Sequence, residues 1–236
     1  MKVAALYSGL VREFKDWEEN HKRITEHCDE IHYTTWEGRP TPEDKICVTF
    51  KEPEVKYRPM HIPEVVERWP RMKKHMNNDA QMWLTKQIVA HQYACDFIGA
   101  DNYDVIIRMR YDVWVGDHDW KKFIDQVANE KVVISFGGWN AEMDRNKTIC
   151  DEIVIPDEEN GGSKMDGQIL DFMNIHPGYK MKDGIKLHNE KKLMPANLGW
   201  QQVLGDPYEE TPINYGGGVM LTRYRLKNLH HVPGGF

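Results

Sequence analysis

The 236-residue sequence lacks the features that mark several large classes of protein. No apolar run approaches the ~18 residues that a membrane-spanning helix needs, and the apolar stretch at the start is too short for a signal peptide. The four cysteines are dispersed along the chain, which predicts neither a zinc-binding cysteine pair nor a dense disulfide framework. These absences predict a soluble, cytoplasmic protein with reduced thiols and no membrane span.

Positive charge is also scarce. Lys and Arg number 31 against 37 Asp and Glu, so the formal net charge is −6 at pH 7. An acidic chain lacks the broad basic field of a non-specific nucleic-acid binder, although a local groove can still be basic. The sequence contains neither a Gly-x-Gly-x-x-Gly motif nor a P-loop, which disfavours the dehydrogenases and kinases that use those signatures.

The residues that are present indicate a globular α/β protein. Hydrophobic residues make up 40% and charged residues 29%, a mixture that excludes disordered and low-complexity classes. Apolar runs predict strands at residues 2–7, 30–36 and 46–50, and apolar side chains at three- and four-residue steps predict a helix at 12–27. This order predicts a mostly parallel central sheet flanked by helices. No repeat or linker divides the chain, so we expect one domain, 1–236.

The second half of the chain continues the same pattern. Asp79 caps a long predicted helix that ends near residue 98, and the very apolar run at 104–107 predicts a strand at the sheet centre. The acidic stretch Asp117-His118-Asp119 is expected to cap the next helix rather than to bind a metal. An acidic, Gly-rich tract at 151–163 predicts a mobile loop. The remaining predicted elements are helices at 122–129, 165–174 and 197–204, a strand at 131–136, and a strand or helix start at 219–222.

Three charged residues follow the central predicted strand. Side chains alternate along a strand, so Arg108, Arg110 and Asp112 are expected to point to one face at its carboxyl end. Ligands bind at that end of the strands in open α/β sheets. The pattern allows two interpretations: an Arg–Asp network that closes the strand, or a site for a phosphorylated ligand, which arginine binds in bidentate fashion.

Several segments together resemble a known family. Residues 103–112 read Tyr-Asp, three apolar residues, then Arg-x-Arg-x-Asp, and residues 3–14 combine a strand, a Ser-Gly turn, an Arg and an aromatic residue. Residues 29–36 form a second strand that ends in Trp, and residues 165–168 contain an Asp-Gly-Gln turn. In these blocks the sequence resembles a group of viral and bacterial glycosyltransferase-like proteins. Their fold is similar to that of the GT-A nucleotide-sugar transferases, which implies a GT-A-like, Rossmann-like fold for this chain.

The resemblance implies positions for the nucleotide. Ser8, Gly9 and Arg12 would lie where the nucleotide binds, with Gly9 allowing close approach of the backbone and the following helix start favouring an anion. The alternative for Gly9 is a simple turn. Arg110 and Asp112 would occupy the Asp-x-Asp positions that bind the metal in GT-A enzymes, and the first position here is Arg.

The sequence allows two sources of the positive charge that would neutralise the diphosphate. Either Asp112 holds Mn²⁺ or Mg²⁺ through the diphosphate, which is the favoured interpretation, or Arg108 and Arg110 neutralise the leaving diphosphate themselves. Candidates for completing a metal shell, each otherwise expected on the surface, are His188, His230 and His231.

Asp166 is the candidate catalytic base. An inverting transfer needs a base on the acceptor hydroxyl, and Asp166 follows the loop 151–163, which could close as a lid. The alternative role for Asp166 is a helix cap.

The leading interpretation is a glycosyltransferase that moves a sugar from a nucleotide-diphosphate sugar to an acceptor hydroxyl. The acceptor could be a glycan, a lipid-linked saccharide, a protein or a modified base of viral DNA. Residues 1–136 would bind the nucleotide sugar and residues 137–236 the acceptor, and a viral protein would act in the host cytoplasm. The alternatives are a non-catalytic nucleotide- or glycan-binding module and a nucleotidyltransferase.

Overall fold

The computed structural model describes residues 1–12, 14–55, 80–136, 173–178, 181–194, 197–204, 213–215 and 219–221. Within these ranges the protein is an α/β structure built on a seven-stranded sheet, with a separate two-stranded ribbon. The strands are β1 (Val3–Tyr7), β2 (Glu30–Trp36), β3 (Cys47–Phe50), β4 (Val105–Met109), β5 (Val113–Val115), β6 (Ile134–Phe136), β7 (Met173–Pro177), β8 (Ile213–Tyr215) and β9 (Val219–Leu221). The helices are α1 (Phe14–Thr25), α2 (Ala80–Ile98), α3 (Trp120–Glu130), α4 (Gly184–Asn189) and α5 (Asn197–Leu204), with a 3₁₀ turn at Ala100–Asn102.

The large sheet has the strand order β3-β2-β1-β4-β7-β6-β8, and β5 pairs with β9 in the ribbon. Neighbouring strands are parallel except at β7, which runs antiparallel to both β4 and β6. The expectation of a mostly parallel sheet flanked by helices is therefore confirmed, with one reversed strand that the sequence did not indicate. No helix in the described part of the chain has the length and apolar character needed to cross a membrane.

The two central strands are apolar on both faces because helices pack on both sides. Every residue of β1 and of β4 is buried, which is typical of strands at the centre of an α/β sheet. One face packs with α1 and α3, through side chains such as Phe14 and Trp120. The other face packs with α2 and α5, through side chains such as Ile88 and Trp200.

The order of the strands creates a switch point between β1 and β4. From β1 the chain moves outward to β2 and then β3, and it later returns to place β4 on the other side of β1. The chain leaves β1 toward β2 and leaves β4 toward β6, in opposite directions along the sheet, so these two strand ends form a topological switch point (the crevice). This is the position at which open α/β sheets bind their ligands.

Most predicted elements agree with the structure to within a few residues. Asp119 caps α3, its carboxylate accepting a hydrogen bond from the backbone of Lys122, as the sequence predicts. Lys131 closes the same helix in a left-handed conformation, with φ 57°, so β6 begins later than the predicted strand at 131–136. The helix cap predicted at Asp79 and the loop predicted at 151–163 lie outside the described residues.

The helix predicted at residues 165–174 is wrong at its carboxyl end. Met173 and Asn174 belong to β7, where they pair with Met109 and Arg108 of β4. The rest of that predicted helix lies outside the described residues. Pairing with a strand far away in sequence decides the conformation here, and local apolar spacing carries no information about it.

Candidate functional site

The candidate site lies at the joined ends of β1 and β4. The backbone amide of Ser8 donates a hydrogen bond to the carbonyl oxygen of Met109 at 3.2 Å, which ties the two strand ends together. The Ser8 side chain is buried, and its hydroxyl makes no hydrogen bond with any part of the chain that the structure describes. A buried hydroxyl without a partner costs about 1–3 kcal/mol, so a polar atom of a ligand could recover that free energy here.

Gly9 continues the crevice from Ser8 toward α1. Its φ of 109° lies in the region that favours glycine. Apart from Gly9 and its two chain neighbours, no atom of the described residues lies within 4 Å of the position that a Cβ would occupy. Backbone at this position is therefore open to close approach. The amino-terminal end of α1 follows and favours a negative charge through its unpaired amide groups.

A bidentate ion pair forms the other wall of the crevice. Nε of Arg110 donates to Oδ1 of Asp112 at 2.8 Å, and Nη2 donates to Oδ2 at 2.9 Å. Arg12 reaches the same carboxylate, with Nη1 3.9 Å from Oδ2. The Asp112 side chain is 4% exposed and that of Arg110 is 12% exposed, whereas Arg12 is 46% exposed. The structure therefore brings together Arg12, Arg110 and Asp112.

Tyr111 fixes the turn that carries this pair. Its ring is fully buried, and its hydroxyl donates to the carbonyl oxygen of Thr34 in β2 at 3.1 Å. The ring centroids of Tyr7 and Phe14 each lie 5.3 Å from that of Tyr111. The same aromatic cluster contains the last residue of β1 and the first residue of α1. The backbone segments that carry Arg12 and Arg110 are therefore fixed by contacts with one part of the hydrophobic core.

His21 secures the next residues of the chain. The hydroxyl of Tyr7 lies 3.0 Å from Nδ1 of His21, and Nε2 lies 2.6 Å from the carbonyl oxygen of Val113. Both contacts are satisfied by the neutral tautomer that carries its proton on Nε2. Burial lowers the pKa of His21 to about 4, which keeps the imidazole neutral. The residues on both sides of Asp112 are thus held in place before any ligand arrives.

Arg108 lies apart from this group, which corrects the prediction that Arg108, Arg110 and Asp112 share one strand face. β4 ends at Met109, so the alternation of side chains does not extend to Arg110 and Asp112. Arg108 is completely buried, donates to Oε1 of Gln87 at 3.0 Å, and stacks with its guanidinium carbon 4.0 Å from the ring centroid of Trp200. It belongs to the face of the sheet that packs with α2 and α5.

Two further sequence predictions have different outcomes. Asp166, the candidate base, lies outside the described residues, as do His230 and His231. His188 is buried in α4, so the expectation of a surface histidine is wrong at that position. The predicted elements did not include α4.

A set of side chains of the metal-ligand types lies outside the sites predicted from the sequence. His91 and Cys95 on α2 and His176 on β7 are buried together close to Arg108. The spacing of His91 and Cys95 by four residues on a predicted helix was a usable signal, because it places both side chains on one helix face. The third member could not be found without knowing where β7 pairs.

The crevice can neutralise a phosphate group. Arg12 and Arg110 bring two guanidinium groups to the carboxylate of Asp112. Guanidinium groups bind phosphate oxygens strongly. No protein-family model matches the sequence and no curated protein matches it, so the resemblance to glycosyltransferase-like proteins stays a prediction.

Proposed function

We propose that the protein is a glycosyltransferase that uses a nucleotide-diphosphate sugar as donor. The observation that carries the proposal is the grouping of Ser8, Gly9, Arg12 and the Arg110–Asp112 pair at the carboxyl ends of β1 and β4. This is the switch point of the sheet, where nucleotides bind in open α/β folds. The sequence blocks that resemble GT-A-like glycosyltransferases include these same residues, which supports a GT-A-like assignment.

The diphosphate would bind along the Ser8–Gly9 backbone and the start of α1. Ser8 supplies a hydroxyl with no other partner in the described structure, and Gly9 supplies open backbone. Arg12 and Arg110 would then stabilise the negative charge that develops on the leaving nucleotide diphosphate as the bond to the sugar breaks. Stabilising that charge is the main electrostatic demand of glycosyl transfer.

The described residues do not fit a divalent cation at Asp112. Both carboxylate oxygens accept hydrogen bonds from Arg110, and a second arginine lies within 4 Å. A cation there would have to displace one guanidinium and sit beside another. In this geometry Asp112 positions Arg110, and the arginines supply the positive charge, so the use of Mn²⁺ or Mg²⁺ stays a prediction from the resemblance.

Asp166 remains the proposed base for the acceptor hydroxyl. β7 runs antiparallel to β4, so its first residue, Met173, lies opposite Met109 at the edge where the crevice opens. Position 173 is seven steps along the chain from position 166, and an extended chain spans at most about 25 Å over that length. The crevice is therefore within reach of Asp166.

Thermal denaturation with a panel of nucleoside diphosphates and nucleotide sugars tests the proposal. A ligand present at 100 times its Kd should raise the Tm by about 5–10 °C in a protein of this size. Arg12→Ala should weaken binding of the same ligand about tenfold, the loss of roughly one charged hydrogen bond. No response to any nucleotide or nucleotide sugar, with and without Mn²⁺, would exclude the proposed donor site.

Arg39→Ala is the matched control. Arg39 is 47% exposed and pairs with Glu52 at 3.2 Å, so it resembles Arg12 in exposure and in having a carboxylate partner. It follows β2 in the chain, and its carboxylate partner is Glu52 and not Asp112. Equal losses of affinity in the Arg12→Ala and Arg39→Ala variants would indicate a general charge effect in place of a site.

A non-catalytic nucleotide- or glycan-binding module is the second candidate. The occupation of both Asp112 oxygens by Arg110 favours it, because GT-A-like transfer normally places a metal there. Donor binding without any transfer or hydrolysis of the sugar, at saturating Mn²⁺ and with a panel of saccharide acceptors, would support the module. Release of free nucleotide diphosphate would support the transferase.

A further inference from the structure

Three side chains of the kinds that bind transition metals meet between α2 and β7. His91 and Cys95 lie one helical turn apart on α2, and His176 lies on β7 opposite Ile106 of β4. All three are buried, with exposed fractions of 0%, 5% and 2%. They lie on the α2 face of the sheet and are not part of the crevice at Asp112.

The ligand atoms are spaced as a metal site requires. Nε2 of His91 lies 2.9 Å from Nε2 of His176 and 3.5 Å from Sγ of Cys95, and every ligand atom of the set lies within 4.8 Å of the others. In a tetrahedral zinc site, with bonds of about 2.0–2.1 Å to nitrogen and 2.3 Å to sulfur, neighbouring ligand atoms lie about 3.3–3.6 Å apart. The two histidine nitrogens would move apart by about half an ångström, and His176 and Cys95 would approach by at most about 1.2 Å, to admit the ion.

A backbone contact holds His176 in the orientation that a ligand needs. Nδ1 of His176 lies 2.8 Å from the carbonyl oxygen of Pro177, so it carries the proton and donates it to that oxygen. The lone pair of Nε2 then points toward His91 and Cys95. Metal-binding histidines are characteristically oriented by such a hydrogen bond from the second ring nitrogen.

The contact between the two Nε2 atoms requires a neutral His176. Nδ1 of His176 donates to Pro177, so its Nε2 accepts the hydrogen bond from Nε2 of His91. Neutral imidazole is the form that binds metals. The only proton that must leave the protein on metal binding is that of the Cys95 thiol.

We propose that His91, Cys95 and His176 form a binding site for a divalent transition metal of the zinc class. On binding, Cys95 releases its thiol proton to solvent, and His91 moves its proton from Nε2 to Nδ1 so that Nε2 can bind the ion. The ion and the thiolate together carry one positive charge, and the Arg108 guanidinium lies close enough to affect both histidines. In a tetrahedral site these three side chains leave one coordination position open, and the local positive charge favours hydroxide or another small anion there over a neutral ligand.

The site would fasten α2 to the reversed strand of the sheet. A ligand that binds only the native state raises its stability, and this one would connect Cys95 of a helix with His176 of a strand, 81 positions later in the chain. The proposal is independent of glycosyl transfer. Its test uses metal content, absorption and melting temperature, none of which requires a donor or an acceptor.

The test is to load the untagged, metal-free protein with Zn²⁺ or Co²⁺, remove unbound ion on a desalting column, and measure metal content. One ion per chain is expected, with a Tm about 5–10 °C above that of the EDTA-treated protein. Bound Co²⁺ should give a thiolate-to-metal charge-transfer band in the near ultraviolet and visible bands of tetrahedral intensity. No retained ion and no shift in Tm would overturn the proposal.

Cysteine variants locate the ion. Cys95→Ser should abolish the charge-transfer band and weaken Co²⁺ binding at least about tenfold, whereas Cys47→Ser, a half-buried thiol on β3, should leave both unchanged. A variant with Ser at positions 28, 47 and 150 keeps Cys95 as its sole thiol and must retain the band, which secures the test if Cys95→Ser does not fold. A retained ion with no thiolate band, or a band that survives in Cys95→Ser, would show that the ion binds elsewhere and would overturn the proposal.

Discussion

Replacing Ser8 by Ala should move stability and donor affinity in opposite directions. The Ser8 hydroxyl is buried and makes no hydrogen bond with the described residues. Its removal recovers the free energy spent on stripping it of water, about 1 kcal/mol at the low end of the usual range. In a protein of this size the Tm should rise by about 2–4 °C.

Donor affinity should fall in the same variant. A hydrogen bond from the Ser8 hydroxyl to a phosphate oxygen is worth about 1.5–3 kcal/mol because the acceptor is charged. Each 1.4 kcal/mol changes Kd tenfold, so the Kd of a nucleoside diphosphate should rise about 10- to 100-fold. Calorimetric titration of the ligand and thermal unfolding of the free protein measure the two quantities on one preparation.

Thr35→Val is the matched control for this prediction. The Thr35 hydroxyl is also buried without a hydrogen bond in the described structure, but it lies within β2 and not at the crevice. It should gain stability and keep its ligand affinity. A Ser8→Ala variant that loses stability would show that the hydroxyl has a partner in the free protein, and one that keeps its affinity would show that the hydroxyl does not contact the ligand. Either result refutes the reasoning.

Three other predictions address the ion pair, the sheet and the response to pH. Asp112→Asn should lower the free energy of unfolding by about 2 kcal/mol, because Arg110 loses this charged partner. If the arginines supply the positive charge, turnover of the wild type should persist in EDTA. Loss of turnover in EDTA would favour a metal at Asp112. Gly178→Ala should destabilise the protein by about 3 kcal/mol or prevent folding, since a Cβ there would lie 1.9 Å from the backbone carbonyl oxygen of Tyr103, just before β4. An unchanged urea denaturation curve would contradict this. Stability should fall between pH 7 and pH 5. Histidines in the unfolded chain take up protons below about pH 6.5, whereas burial lowers the pKa of His21 and His176 in the folded protein to about 4. Each of these two histidines should therefore lower the free energy of unfolding by about 2 kcal/mol at pH 5. A constant Tm across this interval would show that these two imidazoles take up protons in the folded protein as they do in the unfolded chain.

Local patterns were sufficient to predict most of the fold. The bounds of β2 and α5 agree with the predicted elements, and the apolar run that became β4 does lie at the centre of the sheet. In each case the side chains of one short segment decide the outcome. A strand that is buried on both faces needs a continuous apolar run, and a helix with one buried face needs apolar residues at three- and four-residue steps.

The parts that could not be predicted depend on pairing between distant segments. β7 takes its place because its backbone pairs with β4 and β6, and this pairing brings His176 to His91. The same limit applies to Arg108, whose burial follows from Trp200 packing over it. At the crevice, residue types and spacing identified Arg110 and Asp112 as partners in one site. The bidentate contact that now occupies the carboxylate depends on a turn that Tyr111 anchors from below, and spacing alone does not reveal that turn.

The central position of β1 has a consequence for the order in which the protein can fold. β1 is synthesised first, yet its pairing with β4 joins Val3 to Val105, about a hundred residues later in the chain. Until β4 has left the ribosome, β1 has a partner on one side only and one open edge. Contacts of such long range make folding slow, so the half-formed sheet is the stage at which this chain is most exposed to aggregation and to chaperones. The ligand crevice, which needs both strand ends, can form only after that stage is complete.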